Sequence, residues 1–214
     1  MDNFIISIGR QVGAGGYDTA RALADELGIK VYDKELLAET ARRSGLSPDC
    51  FERSDEQQSR RGFHSFFGIR GSSHLNESLI SNDIMSDDSL FRLQSDTIRQ
   101  IAEEESCIII GRCADYVLRD NPGLVSVFIS ANLSSRIRRI MEGRGLSETE
   151  AKKFIEQNER GRADYYNYFT FKKWGDSSSY DLCIDSSKLG DDVSKVVSII
   201  LNYMEARGFD YYKK

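Results

Sequence analysis

The sequence is short of features that mark secreted, zinc-binding or membrane proteins. Its 4 cysteines among 214 residues form no C-x-x-C pair. This argues against a zinc site or a disulfide framework and favours buried free thiols in a reducing compartment. No apolar stretch is long enough to span a membrane, and no basic segment followed by an apolar run opens the chain. We therefore expect a cytoplasmic protein with no membrane partner.

The chain also lacks an excess of basic charge, since its formal net charge is −5. A DNA- or RNA-binding protein usually has a basic face that dominates the total charge, so no nucleic-acid polymer is expected as a partner. Local basic clusters can still bind a small anion. The sequence has no internal repeat and no low-complexity tract. Its length suits one well-buried α/β domain spanning residues 1–214, with residues to spare for a lid or an insert.

Hydrophobic periodicity weakens from Ser47 to Asp88, where Pro48 predicts the start of a helix and residues 57–73 have no clear period. The stretch from Arg60 to Arg70 mixes cations with aromatic side chains, which would suit a flap over a base and its phosphate. The alternatives are a mobile surface loop or a contact within a homodimer, and the sequence leaves them open. Both histidines, His64 and His74, lie in this segment. Neither is expected to be catalytic, because no acidic or nucleophilic partner stands at a recognisable spacing.

Three glycines within four positions follow the first apolar run. Residues 5–8 predict a strand, residues 13–16 read Gly-Ala-Gly-Gly, and an amphipathic helix follows and ends at Gly28. Residues without a Cβ let successive N–H groups converge on an anion, and the dipole of the helix adds to the attraction. The pattern predicts a phosphate-binding loop.

This loop lacks two groups that a Walker A motif supplies. Gly16 stands where the motif has lysine, and Tyr17 stands where it has serine or threonine. The lysine would bring a cation to the outer phosphates, and the hydroxyl would bind Mg²⁺. A dinucleotide fingerprint with Asp33 on the ribose is the less favoured alternative, because its third glycine position is Asp18, which would face the pyrophosphate. The other alternative is a tight turn that binds nothing.

Two charged side chains follow predicted strands. Asp33 ends the strand at residues 29–32, and Arg112 comes two positions after the continuous apolar strand at residues 107–110. The carboxyl ends of parallel strands gather at one edge of a sheet, so we expect both residues near the glycine loop. Asp33 is a candidate for chemistry or a helix N-cap. Arg112 is a candidate phosphate ligand or a member of a structural ion pair.

Arginines concentrate in a predicted helical hairpin over about residues 133–172. An apolar face predicts its first helix, and the capping box from Ser147 to Glu150 predicts the start of its second. Such a hairpin can close over phosphates and exclude water. The alternative is a solvated charged face. The arginines of the hairpin are Arg136, Arg138, Arg139, Arg144, Arg160 and Arg162.

Several motifs in combination resemble the cytidylate kinase-like proteins, over nearly the whole chain. The resemblance implies an α/β, three-layer P-loop kinase fold. Its expected parts are a central five-stranded parallel sheet, a monophosphate-binding insert at about residues 45–88 and a helical lid hairpin at about residues 133–172. In this chain Asn158 stands where the lid helix is expected to be acidic. The motifs are Ser7-Ile8-Gly9-Arg10 leading into Gly13-Ala14-Gly15-Gly16, Val31-Tyr32-Asp33-Lys34-Glu35-Leu36, Ile110-Gly111-Arg112-Cys113-Ala114-Asp115-Tyr116, Arg162 with Tyr165-Tyr166, and Trp174-Gly175 before Tyr180-Asp181-Leu182.

The resemblance implies ATP-dependent phosphoryl transfer to a nucleoside monophosphate, with Mg²⁺ accompanying the triphosphate and Arg10 replacing the missing lysine charge. The alternatives are a P-loop kinase of another small metabolite and a catalytically weak nucleotide-binding regulator. The residues expected to be catalytic are Asp33, Arg112, Arg139 and Arg162. Those expected to bind the nucleotide are Arg10, Gly13, Ala14, Gly15, Gly16, Tyr17, Arg136 and Arg160.

Overall fold

The computed structural model describes residues 3–33 and 87–210, together with Leu36, Glu39, Arg42 and Arg43. The insert expected at about residues 45–88, with both histidines, lies outside the described residues apart from its last two positions. The strands are β1 (Ile5–Arg10), β2 (Lys30–Tyr32), β3 (Cys107–Ile110), β4 (Leu124–Ser130) and β5 (Leu182–Asp185). The helices of the described residues are α1 (Gly16–Leu27), α2 (Asp87–Glu104), α3 (Ala114–Val117), α4 (Leu133–Arg144), α5 (Glu148–Thr170) and α6 (Val193–Ala206).

The five strands form one parallel sheet in the order β2-β3-β1-β4-β5. In the central strand, Ile8 pairs with Ile110 of β3 on one side and Val127 of β4 on the other. The central strands are mainly apolar because helices cover both faces of the sheet. The expectation of a five-stranded parallel sheet in an α/β fold is confirmed. β1 lies where the chain order reverses, which is the point at which ligands bind in sheets of this kind.

Each face of the sheet packs against its own pair of helices. On one face, side chains of β1 such as Ile6 and Ile8 pack against Leu23 of α1 and Ile200 of α6. On the other face, strand residues pack against α2 and α3, with Ile98 of α2 fully buried. The layers hold the sheet rigidly and leave its carboxyl edge to the loops. No helix in the described part of the chain is both long enough and apolar enough to cross a bilayer.

The helix boundaries follow local signals that the sequence shows. α1 ends with Gly28 in the left-handed conformation at φ 63°. α5 begins with the predicted capping box, in which Ser147 and Glu150 exchange hydrogen bonds. β5 starts at Leu182. Just before it, the Asp181 carboxylate accepts the Ser126 N–H at 2.7 Å, and the Asp181 N–H donates to the Ser126 carbonyl oxygen at 2.9 Å.

α5 ends at a residue whose replacement should stabilise the protein. Phe171 follows the helix in the left-handed conformation at φ 55°, and its side chain is 91% exposed. Left-handed backbone costs a residue with a Cβ about 1–2 kcal/mol, and the exposed ring recovers little of it. We expect Phe171→Gly to raise the free energy of unfolding by about 0.5–1 kcal/mol, after allowance for the greater freedom of unfolded glycine. Urea unfolding tests this, with Phe171→Ala as the control that keeps the Cβ and gains nothing.

Candidate functional site

The glycine loop presents backbone N–H groups at the start of α1. Gly13 and Gly15 have positive φ values of 78° and 83°. A Cβ on Gly13 would lie 2.8 Å from the carbonyl oxygen of Arg136, so no side chain fits there. Gly15 is the N-cap residue of α1, and no side chain of the described residues caps the helix. Within that part of the chain the first-turn N–H groups have no side-chain acceptor, which is the arrangement in which a helix N-terminus binds an anion.

Gly16 lacks a side chain because Arg10 occupies its space. A Cβ on Gly16 would lie 2.6 Å from Cβ and 2.8 Å from Cγ of Arg10. The stem of Arg10 thus covers the position where a Walker lysine would begin. Its guanidinium extends past Gly111 to Asp33, with 3.8 Å between Nη2 and Oδ1. The aliphatic stem of Arg10, at the end of β1, therefore lies against Gly16, and its charged end lies near Asp33.

The segment after β3 is strained. Gly111, Arg112 and Cys113 all have positive φ, at 71°, 59° and 55°. Two residues with a Cβ in this region cost about 1–3 kcal/mol each, and such strain tends to persist at functional sites. The turn brings Arg112 to the carboxyl edge of the sheet instead of continuing the strand.

These strand ends enclose a cleft of about 370 Å³. β1 and β3 form its floor, α5 forms one wall, and the segment from residue 174 to 180 forms another. Cations and carboxylates share the cleft with aromatic rings, as expected where a charged group and a planar ring bind together. The lining residues are Gly9, Arg10, Asp33, Ile110, Gly111, Arg112, Cys113, Asp115, Asn158, Gly161, Arg162, Tyr165, Tyr166, Trp174 and Tyr180.

The helical hairpin contacts the glycine loop through two side chains of α5. Oε1 of Glu159 accepts both the Val12 N–H at 3.2 Å and Nη1 of Arg136 at 2.6 Å. Nη1 of Arg162 donates to the carbonyl oxygen of Arg10 at 3.1 Å. A small apolar cluster that includes Val12 and Ile155 packs beneath these contacts. The hairpin and the loop are therefore joined, and a displacement of α5 would also displace the loop.

The structure separates the predicted arginines into two groups. Arg10, Arg112 and Arg162 line the cleft together with Asp33. The other hairpin arginines do not line the cleft. Arg136 is buried and pairs with Glu159. Arg139 contacts the Gly13 carbonyl oxygen at 3.3 Å and the carboxylate of Asp191 at 3.5 Å. Arg160 is exposed and does not line the cleft, and the same holds for Tyr17.

The sequence interpretation missed a buried polar cluster in the same cleft. The Tyr166 hydroxyl donates to Oδ2 of Asp115 at 2.7 Å, and the Tyr166 ring stacks near that of Tyr180 at 6.5 Å. Burial raises the pKa of the Asp115 carboxyl above its ordinary value, although hydrogen bonds from Tyr166 and backbone N–H groups act in the opposite direction. Burial, and then the nearby charge of Asp115, also raise the pKa of both phenols, so these remain protonated. The only signal in the sequence was the resemblance of the motif at 110–116, which includes Asp115.

Asp115 should make stability depend on pH. The pKa of Asp115 is higher in the folded protein than in the unfolded chain, so the unfolded chain ionises more readily. The contribution of this carboxyl to stability is therefore complete below its unfolded pKa. It is lost as pH rises through the folded pKa. We expect Asp115→Asn to be more stable than the wild type at pH 7, and the difference to shrink as pH falls towards 4. Urea unfolding at several pH values measures it. A difference that is constant with pH would contradict this explanation.

Comparison with known proteins agrees with this geometry. The model of the cytidylate kinase-like family matches residues 5–188, which include the glycine loop, the strained turn and both helices of the hairpin. This chain belongs to the cytidylate kinase-like family. A cytidylate kinase of Methanopyrus kandleri is 26% identical to it over 197 residues, which are 88% of this chain and 87% of the relative.

Two solved structures extend the family comparison. An uncharacterized protein from Eubacterium ventriosum is 30% identical, with a TM-score of 0.70 over 95% of this chain and 99% of its own. A shikimate kinase from Bacteroides thetaiotaomicron has a TM-score of 0.52 at 17% identity, over 96% of this chain and 99% of its own. The second likeness concerns the fold alone. Together they support a P-loop kinase fold for this member of the family.

Proposed function

We propose that this protein transfers the γ-phosphoryl group of a nucleoside triphosphate to a nucleoside monophosphate. The observation that carries the proposal is the convergence of three arginines on one cleft beside an uncapped helix N-terminus. In the reaction, a phosphate oxygen of the acceptor bonds to the γ-phosphorus while the bond from that phosphorus to the β–γ bridging oxygen breaks. The bonding electrons leave with the diphosphate. Chemistry of this kind asks the protein mainly for positioning and positive charge.

The glycine loop is the proposed donor site. In the proposal, the N–H groups of Gly13, Gly15, Gly16 and Tyr17 hold the donor phosphates. The Ala14 N–H donates to the Gln11 carbonyl oxygen at 3.3 Å, so Ala14 would join them only if that bond opened. In the proposal Arg10 replaces the lysine charge, because its stem covers Gly16 while its guanidinium enters the cleft. The proposal therefore gives the Arg10 guanidinium a position between donor and acceptor, where the phosphoryl group is transferred.

Mg²⁺ fits this site as a partner of the triphosphate. Among residues 3–33 and 87–210, no three His, Cys, Asp or Glu side chains group together to hold a metal ion. Asp33 faces the cleft with a half-buried carboxylate, and one carboxylate with substrate phosphates and water is a usual ligand set for Mg²⁺. The ion would neutralise charge on the phosphates.

The acceptor phosphate is assigned to Arg112 and Arg162, which approach the cleft from the sheet edge and from α5. A guanidinium binds phosphate through two parallel N–H donors, which fixes its direction as well as its distance. In this proposal Asp33 holds Arg10 and orients the acceptor.

The hairpin is the proposed lid. Arg139 already contacts the loop at Gly13, and Glu159 joins Arg136 to the loop at Val12. Closure of the hairpin would exclude water and bring further arginine charge from Arg139 and Arg160 to the transferring group. Arg136 is paired with Glu159 and acts on the phosphates through the position of the loop.

A coupled assay of ADP release tests the proposal, with ATP as donor and CMP, UMP, dCMP, AMP and GMP as acceptors. We expect one or two of these to give turnover well above the ATPase background. Equal background rates with all five, but turnover with a hydroxylated metabolite, would favour a kinase of another small molecule. Nucleotide binding in calorimetry without turnover on any acceptor would favour a regulatory protein.

A further inference from the structure

One glycine of the cleft has no explanation within the protein itself. Gly161 lies inside α5, where glycine is less favourable than alanine. A Cβ on Gly161 would meet no heavy atom of the described residues within 4 Å. Gly13, Gly15 and Gly16, in contrast, all face atoms at 2.9 Å or less. Neither backbone strain nor packing against the described residues accounts for a glycine at position 161.

Gly161 forms a notch in the wall of the cleft. Asn158 lies three residues before it and Tyr165 lies four residues after it, a spacing that places residues on one face of a helix. Arg162 lies four residues after Asn158, and all three side chains line the same cavity. The notch is therefore bordered by an amide, a guanidinium and an aromatic ring, and its base is bare helix backbone.

We propose that the nucleoside part of the acceptor packs against the backbone of α5 at Gly161. This rests on the proposed function, in which arginines take the phosphate end of the acceptor. The part that remains is a sugar and a planar base, and the rings of Tyr165 and Tyr166 lie on the same side of the cleft. A side chain at position 161 would occupy the space that this group needs, so Gly161 limits the size of acceptor that the cleft admits.

The test compares substitutions at Gly161 with the same substitutions at Gly143. Gly143 also lies within a helix, is exposed, does not line the cleft, and its Cβ would meet nothing in the described residues within 4 Å. Both Ala variants should raise Tm by about 2–4 °C, because each relieves a helical glycine. Gly161→Ala should raise KM for the acceptor about 10-fold and Gly161→Leu at least about 100-fold, with KM for ATP unchanged. The Gly143 variants should leave both constants as in the wild type.

Two results would overturn the inference. One is equal acceptor KM for the Gly161 and Gly143 variants. The other is a loss of kcat with unchanged KM, which would make Gly161 a hinge of the helix. Failure of the proposed function is a separate result, since the wild type would then turn over none of the acceptors. In that case CMP binding in calorimetry decides: weaker binding by Gly161→Leu alone supports the notch, and equal or absent binding overturns it.

Discussion

Replacing Arg112 with alanine should lower kcat/KM for the acceptor by about 10²–10⁴-fold. Arg112 reaches the cleft from the sheet edge, where the proposal gives it the acceptor phosphate. A charge-assisted hydrogen bond is worth about 1.5–3 kcal/mol, and a guanidinium can make two of them to one phosphate. Each 1.4 kcal/mol is a factor of ten. Steady-state rates with a fixed ATP concentration and varied acceptor measure the loss.

Arg112→Gly should be more stable than Arg112→Ala, although both should have the same low activity. Arg112→Gly removes the same cation and also the Cβ that opposes a φ of 59°. We expect it to unfold with a free energy about 1 kcal/mol higher than Arg112→Ala, at the same low activity. Cys113→Gly is the matched control, because it relieves similar strain at φ 55° and keeps the arginine. An active Arg112→Ala enzyme, or an inactive Cys113→Gly enzyme of normal stability, would contradict the role given to Arg112.

Restoring the lysine of a standard phosphate loop should harm this protein. The stem of Gly16→Lys would meet Arg10 at 2.6 Å, so either the loop or the guanidinium of Arg10 must move. Overpacking of this kind costs about 1–3 kcal/mol. We expect Gly16→Lys to lose stability by that amount and to lose about 10²-fold in kcat/KM, comparable to the loss of one oriented donor. Urea unfolding and the coupled assay measure both.

The companion change is Arg10→Gly, which removes the stem and the cation together. Alone it should lower activity as strongly as Gly16→Lys does. The double variant Arg10→Gly/Gly16→Lys should recover much of the loss, because the new lysine then has room and supplies the charge. Residues in direct contact show coupling energies of about 0.5–3 kcal/mol in double-mutant cycles. Additive losses in the cycle would mean that Arg10 and Gly16 do not exchange roles.

Arg112 and Gly161 illustrate how function can oppose local preference in this fold. Arg112 stands in a backbone conformation that favours glycine, while Gly161 stands in a helix that favours alanine. Local propensity alone would favour glycine at position 112 and alanine at position 161. Residues that violate a local rule are often functional, and here both line the same cleft.

Local patterns were sufficient to predict most of the framework. Mainly apolar runs predicted the buried strands β1 and β3, and the capping box at Ser147 predicted the start of α5. These signals depend on a few neighbouring residues, so they can be recognised without the fold. The hydrogen bond between Asp181 and Ser126 that precedes β5 has no such signal, because the two residues are 55 positions apart.

The candidate site was predicted in part. Asp33 and Arg112 were expected at the sheet edge, because the ends of parallel strands share that edge, and both line the cleft. Asp115 was missed as a site residue, since its burial and its bond to Tyr166 arise from contact between segments 51 residues apart. The roles of the arginines could not be separated, because a sequence shows which helix carries a cation and leaves open what that cation contacts.

The sequence by itself determined the order of strands and helices, the glycine loop and the absence of its lysine, since each of these is encoded in consecutive residues. Only the tertiary structure decided which side chain lies against Gly16. The stem of Arg10 fills the space above Gly16, and its guanidinium shares a cleft with Arg112 and Arg162. The physical reason is distance along the chain: side chains from positions 10, 112 and 162 meet only when the sheet is assembled and α5 packs across its edge.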